Sequence, residues 1–193
     1  AINDYDYMVK TSVEEKADII ISGAGLPLSL PKLVSGSNIK LVPIVSSGKA
    51  ASLIMRNRIK KYNRIPDAIV VEGPKAGGHL GFHLEQLQEG KEKLEDIVCD
   101  VIEVVKSLKC GKKIPVIAAG GIYTGQDIVK FLKLGASGVQ MGTRFVATEE
   151  CDAHINFKKA YIDSRKEDIK IIKSPVGLPG RAIRNKLIRK AEK

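Results

Sequence analysis

The residues best equipped for chemistry lie in the stretch Val71 to Phe82, VEGPKAGGHLGF. Here His79 follows two adjacent glycines, Gly77 and Gly78, which let the backbone approach a flat ligand closely. Imidazole is the side chain best suited to moving a proton near neutral pH, so His79 is the candidate for acid or base catalysis. The same letters also describe a plain glycine-rich turn with a surface histidine, and so short a motif does not by itself choose between the two. The other histidines offer less. His83 lies four residues past His79, a spacing that on a helix would let both bind one metal, but the intervening Gly81 argues against a helix. Nor does an Asp, Glu or Cys nearby complete a metal set, so no metal site is expected. His154 sits at a polar helix start and reads as a surface residue, and the absence of a G-x-S-x-G elbow removes the usual signal for a nucleophilic triad.

Two further glycine clusters point to an anion rather than a proton. Ala118 to Tyr123 reads AAGGIY, with Thr124 placed as the N-cap of a following helix. The pair Gly120 and Gly121 exposes backbone N–H groups, and the helix N-terminus adds partial positive charge. Gln140 to Phe145, QMGTRF, then offers Gln140, Met141, the Gly142 N–H and the Thr143 hydroxyl. Either cluster alone could be a tight turn without a ligand. In succession they favour a phosphate group.

Short runs rich in Val and Ile must position these clusters: residues 17–23 (ADIIISG), 39–47 (IKLVPIVSS), 68–73 (AIVVEG), 114–121 (IPVIAAGG) and 138–142 (GVQMG). Near-continuous apolar runs of this length mark strands buried on both faces, as in a parallel sheet. Helical periodicity follows in 48–62, 84–108, 124–134 and 149–164. Such β-then-α alternation calls for right-handed βαβ units, either an open doubly wound sheet or part of a closed barrel. A dinucleotide-binding sheet would carry one G-x-G-x-x-G after its first strand. Instead, glycine or serine ends every run, at Gly23, Ser46, Gly73, Gly121 and Gly142, as expected where all strand ends meet on the top face of a (β/α)8 TIM barrel. Ser46 and Ser47 read equally well as caps for the next helix.

A complete barrel needs eight strands and roughly 250 residues. This chain has 193 residues and supplies about the last five βα units, so residues 1–193 are expected to be one partial barrel domain. The opening polar segment, Ala1 to Lys16, reads as the helix before a strand. The first three units are expected outside this chain, cleaved off or carried by another chain, because a five-stranded piece alone would leave apolar edges.

Composition narrows the function classes. The net charge of +10 could suggest nucleic acid, but Lys and Arg occur along the whole chain among acids. Aromatics are only 5% with no Trp, which leaves no stacking platform for bases. No apolar run approaches the roughly 18 residues needed to cross a bilayer, and the start lacks signal-peptide character, so a cytoplasmic protein with no membrane partner is expected. Cys99, Cys110 and Cys151 are odd in number and lack C-x-x-C spacing, which suggests reduced, mostly buried thiols. The run EQLQEGKEKLED within 84–108 reads as a solvated helix face or a lid.

VEGPKAGGHLGF, PVIAAGGI and GVQMGTRFVATEE, in this order at successive strand ends, closely resemble the nitronate monooxygenase family (formerly 2-nitropropane dioxygenase) and its sister group, the FMN-dependent enoyl-acyl-carrier-protein reductases of the second type. The likeness extends through the Arg-containing segment GLPGRAIRNKL, Gly177 to Leu187. It implies an FMN cofactor, with His79 as the active-site histidine beside the flavin. Gly77 and Gly78 would lie under the ring, and Glu72 would stand where many monooxygenases have Gln and the reductases often Glu. Gly120, Gly121, Gln140, Met141, Gly142 and Thr143 would hold the ribityl phosphate. The family's N-terminal flavin contacts, a Gly-Gly-Met-type segment and an Asn, are not in this sequence, so FMN binding is expected to need the missing N-terminal segment. The resemblance implies oxidation of alkyl nitronates or nitroalkanes with O2. An NADH-dependent enoyl-thioester reductase and a non-catalytic flavin-binding barrel fragment are the alternatives, and a homodimer is compatible with all three.

Overall fold

Valine and isoleucine runs short of polar residues become strands only when both faces can be covered, and here helices cover one face along the whole sheet. The computed structural model describes residues 4–191 except 24, 109–110 and 175–176. In chain order its elements are α1 (Tyr5–Glu14), β1 (Ile19–Ser22), α2 (Leu30–Leu33), β2 (Lys40–Val45), α3 (Gly48–Tyr62) and β3 (Ile69–Glu72). There follow β4 (Gly78–His79), α4 (Leu84–Glu89), α5 (Leu94–Ser107), β5 (Val116–Ala119), α6 (Gly125–Lys133) and β6 (Gly138–Gln140). The last elements are α7 (Thr143–Val146), α8 (Ile155–Ile162), β7 (Ile169–Lys173), β8 (Pro179–Ile183) and α9 (Lys186–Ala191).

Strands β1-β2-β3-β5-β6 form one five-stranded sheet, parallel throughout. The five expected runs are therefore its strands, somewhat trimmed, and all of their C-terminal ends lie along one edge. Alternate residues divide between two faces. Val45, Ile69, Val71, Val116 and Ala118 face the helices and pack with Ala51, Ile54 and Met55 of α3 and Val98 and Val101 of α5. Val42, Val70 and Ala119, with Ile44 and Ile117, form a cluster on the other face. That face opens towards β1, where Ile21, in register with Val42, is 54% exposed. In a closed barrel this face is the interior.

Local chemistry sets the helix ends. Ser47 caps α3 by accepting a hydrogen bond from the Ala50 N–H at 3.2 Å, and Asn63 ends it in the left-handed conformation. The expected continuous helix over 84–108 is two helices. Gly90, at φ +65°, terminates α4, which buries none of its side chains, and α5 then buries Leu94, Ile97, Val98, Val101 and Ile102. Likewise 149–164 holds only α8, preceded by the short α7. Cys99 and Cys151 are free and half-buried, while Cys110 lies outside the described residues. A second sheet, antiparallel and ordered β4-β8-β7, had no counterpart in the sequence reading.

Candidate functional site

The stretch that carries His79 leaves β3 at Glu72 and turns at once. Gly73 donates its N–H to Ala119 O at 2.9 Å, and a Cβ on it would meet Leu94 Cβ at 2.9 Å, so the turn packs under α5. Gly78, at φ +75°, redirects the chain into β4. There Gly78 pairs with Arg181 and His79 with Gly180, and the Leu80 N–H donates to Pro179 O at 2.9 Å. Leu80 and Phe82 are buried. His79 is thus an exposed side chain on a backbone anchored from both directions. Ser46 contributes too, its hydroxyl donating to Gly81 O at 2.7 Å. That settles the choice left open for the serine pair: Ser47 caps the helix, and Ser46 ties β2 to the histidine segment.

His79 and Glu72 line a common cavity of about 760 Å³, together with Ser46, His83, Lys173 and Leu178. Burial pushes the Glu72 carboxyl above the ordinary carboxylate range, since little near it compensates its charge. The N-terminal residues of α4, Leu84 and Glu85, form part of the rim, so the exposed helix expected over EQLQE stands beside the cavity. The β7–β8 contribution, Lys173 and Leu178 to Pro179, was missed by sequence reasoning. Its signals were the apolar run IKIIK and the turn residues of GLPG, which mark a hairpin but not what the hairpin covers.

The second group of predicted residues lies on the neighbouring strand ends. Strand register aligns Glu72 with Ala119 and Ala119 with Gln140, so Gly120–Gly121 and Met141–Gly142 emerge side by side just beyond that row. None of Gly120, Gly121, Gln140, Met141, Gly142 and Thr143 lines the cavity that holds His79. The link between the two groups is steric: a Cβ on Gly120 would meet Ala76 N at 3.0 Å, and one on Gly121 would meet Lys75 Cβ at 2.9 Å. Both glycines have positive φ, +99° and +79°. Gly77, Gly78 and Gly142 differ, because a Cβ on any of them would meet nothing within 4 Å. Among the described residues, no backbone hydrogen bond outside the helices and strands uses the N–H of Gly120, Gly121, Gly142 or Thr143.

The N-terminus of α6 contributes less positive potential than its position suggests. Thr124 caps it as expected, accepting from the Asp127 N–H at 3.2 Å. The Asp127 carboxylate in turn accepts from the N–H groups of Thr124 and Tyr123 at 2.8 and 3.1 Å, and these bonds hold its carboxyl below the ordinary range. An anion already occupies that helix end. Nearby, the Arg144 guanidinium lies over the Tyr123 ring at 4.6 Å, joining the two loops. His154 caps α8 through Nδ1, which accepts from the Asn156 N–H at 3.2 Å. No group of three or more potential metal ligands occurs among the described residues, and no described helix is long and apolar enough to cross a membrane.

Comparisons with known proteins agree with this arrangement. A probable nitronate monooxygenase of Staphylococcus aureus (strain MSSA476) is 32% identical over 181 residues, covering 93% of this chain and 47% of its own length. The chain thus spans about half the length of the curated relatives it matches. FabK from Thermotoga maritima superposes with a TM-score of 0.77 at 31% identity, over 97% of this chain and 53% of that one. A nitroalkane oxidase from Streptomyces ansochromogenes superposes with a TM-score of 0.75 at 25% identity, over 96% and 50%. These neighbours identify the five βα units as part of a TIM barrel. The model of the nitronate monooxygenase family matches residues 1–193, every strand-end motif included, and the chain belongs to that family.

Proposed function

We propose that this chain forms the larger part of the active site of an FMN-dependent nitronate monooxygenase, which oxidises alkyl nitronates with O2, and that residues 1–193 form one partial barrel domain completed by βα units beyond these residues. The observation that carries this reading is the shared cavity of Glu72 and His79 at the C-terminal ends of parallel strands. In a TIM barrel that edge is the catalytic face.

The residues present fit FMN in two respects. The faces of Gly77, Gly78 and Gly142 are open, so a planar ring or an anion can approach their backbone. The N–H groups of Gly120, Gly121, Gly142 and Thr143 suit phosphate oxygens, with Gln140 and Met141 alongside on the same strand end. Bound FMN would supply the electron transfer with O2. The protein's own work is positional. His79 donates a hydrogen bond to a nitronate oxygen and, with a neutral nitroalkane, takes the α proton onto its imidazole nitrogen. Glu72, whose carboxyl pKa burial raises, lines the same cavity. Leu80, Phe82 and Leu94 back the loop and exclude water from beneath it.

A second reading, an NADH-dependent enoyl-thioester reductase, is favoured by Glu72 and by the similarity to FabK, an enoyl-ACP reductase II. Oxygen uptake with a preformed nitronate, set against NADH oxidation with an enoyl thioester, separates the two in the complete barrel. Turnover of the nitronate alone is the expected result. Turnover of neither, with FMN bound, would leave a flavin-binding module.

A further inference from the structure

The motif PGRA in the C-terminal segment takes no part in the chemistry above, yet it holds the loop that does. Arg181 donates from Nη2 to Pro74 O at 2.9 Å, a bond between residues 107 apart in sequence. Pro74 starts the turn that ends at His79. Arg181 is also the β8 residue paired with Gly78, while its neighbour Gly180 pairs with His79. Successive side chains of a strand point to opposite faces. The paired strands β4 and β8 of the three-stranded sheet therefore fasten one face to the body through Arg181 and present His79 on the other.

Gly180 is matched to this task. It is buried, and a Cβ there would crowd Gly78 O at 3.3 Å while reaching His79 Cδ2 at an ordinary contact distance of 3.9 Å, so a side chain would press on the turn that carries the imidazole. Arg181 carries a cost that argues for a purpose. Its Nε is buried without a hydrogen-bond partner among the described residues, and partial burial lowers the guanidinium's pKa. A partly buried cation with an unpaired donor is weak evidence for stability, since an apolar residue of similar volume often serves as well.

We propose that Arg181 is a positioning residue for His79, its guanidinium clamping the Pro74 carbonyl so that the turn between β3 and β4 holds the imidazole at the cavity. The proposal rests on His79 acting in the reaction proposed above. Neither Arg181 nor the C-terminal hairpin needs to touch substrate or flavin for this role.

The test compares R181M and R181K in the complete, flavin-loaded barrel. R181M keeps the bulk and loses the donors, whereas R181K can still reach one carbonyl. We expect R181M to retain FMN and to melt within a few degrees of wild type, while kcat on preformed nitronate falls about 10- to 100-fold, the scale of a small misplacement of a reacting group. KM should change little, and R181K should restore most of the loss. In parallel, NMR of the His79 imidazole should show a shifted resonance, and the Leu80 N–H should exchange faster, in R181M but not in R181K. An unchanged kcat in R181M, or equal losses in both variants tracking a fall in melting temperature, overturns the proposal. If wild type oxidises no nitronate, the functional reading fails by itself, and the NMR and exchange signals still decide whether Arg181 sets the His79 position. If R181M does not fold, G180A disturbs the same turn with Arg181 intact, and no change in kcat or in the His79 resonance would overturn the idea.

Discussion

Replacing Gly142 by Ala separates a glycine kept for a ligand from one kept for the fold. Gly142 has φ −109°, open to any residue, and an added Cβ would meet nothing within 4 Å. Apart from a weak capping preference, the methyl has nothing in the protein to disturb, so stability should change by no more than about 0.5–1 kcal/mol. If the FMN phosphate rests on the Gly142 N–H, the methyl stands in its way. Losing one hydrogen bond to a charged group corresponds to about 1.5–3 kcal/mol, or about a 10- to 150-fold rise in Kd. Gly121 is the control. At φ +79°, with its Cβ direction 2.9 Å from Lys75 Cβ, even Ala there is strained and crowded. About 1–2 kcal/mol of backbone strain should lower the melting temperature by several degrees whether or not FMN is present. FMN titration by flavin fluorescence quenching, alongside thermal melts without FMN, measures both quantities. An unchanged Kd in G142A would place the phosphate elsewhere, and a large loss of stability in the same variant would refute the reasoning from open space.

Three other outcomes are expected. H79A should keep FMN and lose about 100-fold or more of kcat/KM on a neutral nitroalkane but less on the nitronate, which has already lost its proton; an equal fall on both would leave His79 an anchor rather than a base. The raised Glu72 pKa means that the folded state binds the extra proton as pH climbs from the ordinary Glu value to the raised one, so stability falls through that window and the loss persists above it. E72Q should therefore melt higher than wild type at pH 7.5 and about equal to it near pH 4, and a gain of equal size at both pH values would contradict the sign. Among the described residues, fully buried Arg58 has only a 3.4 Å bond to Pro27 O, with Nε and Nη1 lacking partners, and burial brings its pKa down to about 10. R58M should be neutral or stabilising in chemical denaturation, by about 1–4 kcal/mol at most, and a loss above 2 kcal/mol would show that the guanidinium is better satisfied than its contacts suggest.

What the sequence determined by itself is whatever neighbours within a turn or a strand can specify. Val and Ile runs ending in Gly or Ser mark the parallel strands, because only strands covered on both faces tolerate such runs. Ser47 and Thr124 are legible as caps, since each bonds to an N–H three residues on. Two local signals were there but underread: Gly90 as the left-handed end of α4, and Asp127, at the capping-box position after Thr124, as the anion that occupies the α6 terminus. The histidine motif and the glycine pairs were visible as letters, but their spatial relation was not. Only the tertiary structure brought Ser46 to Gly81, Lys75 and Ala76 against Gly121 and Gly120, and Arg181 to Pro74. It also placed the hairpin β7–β8 beside β4, giving a two-residue strand the partner it needs. These contacts join segments 35 to 107 residues apart, and the loop closures behind them become favourable only once the sheet and its helices have buried their apolar faces.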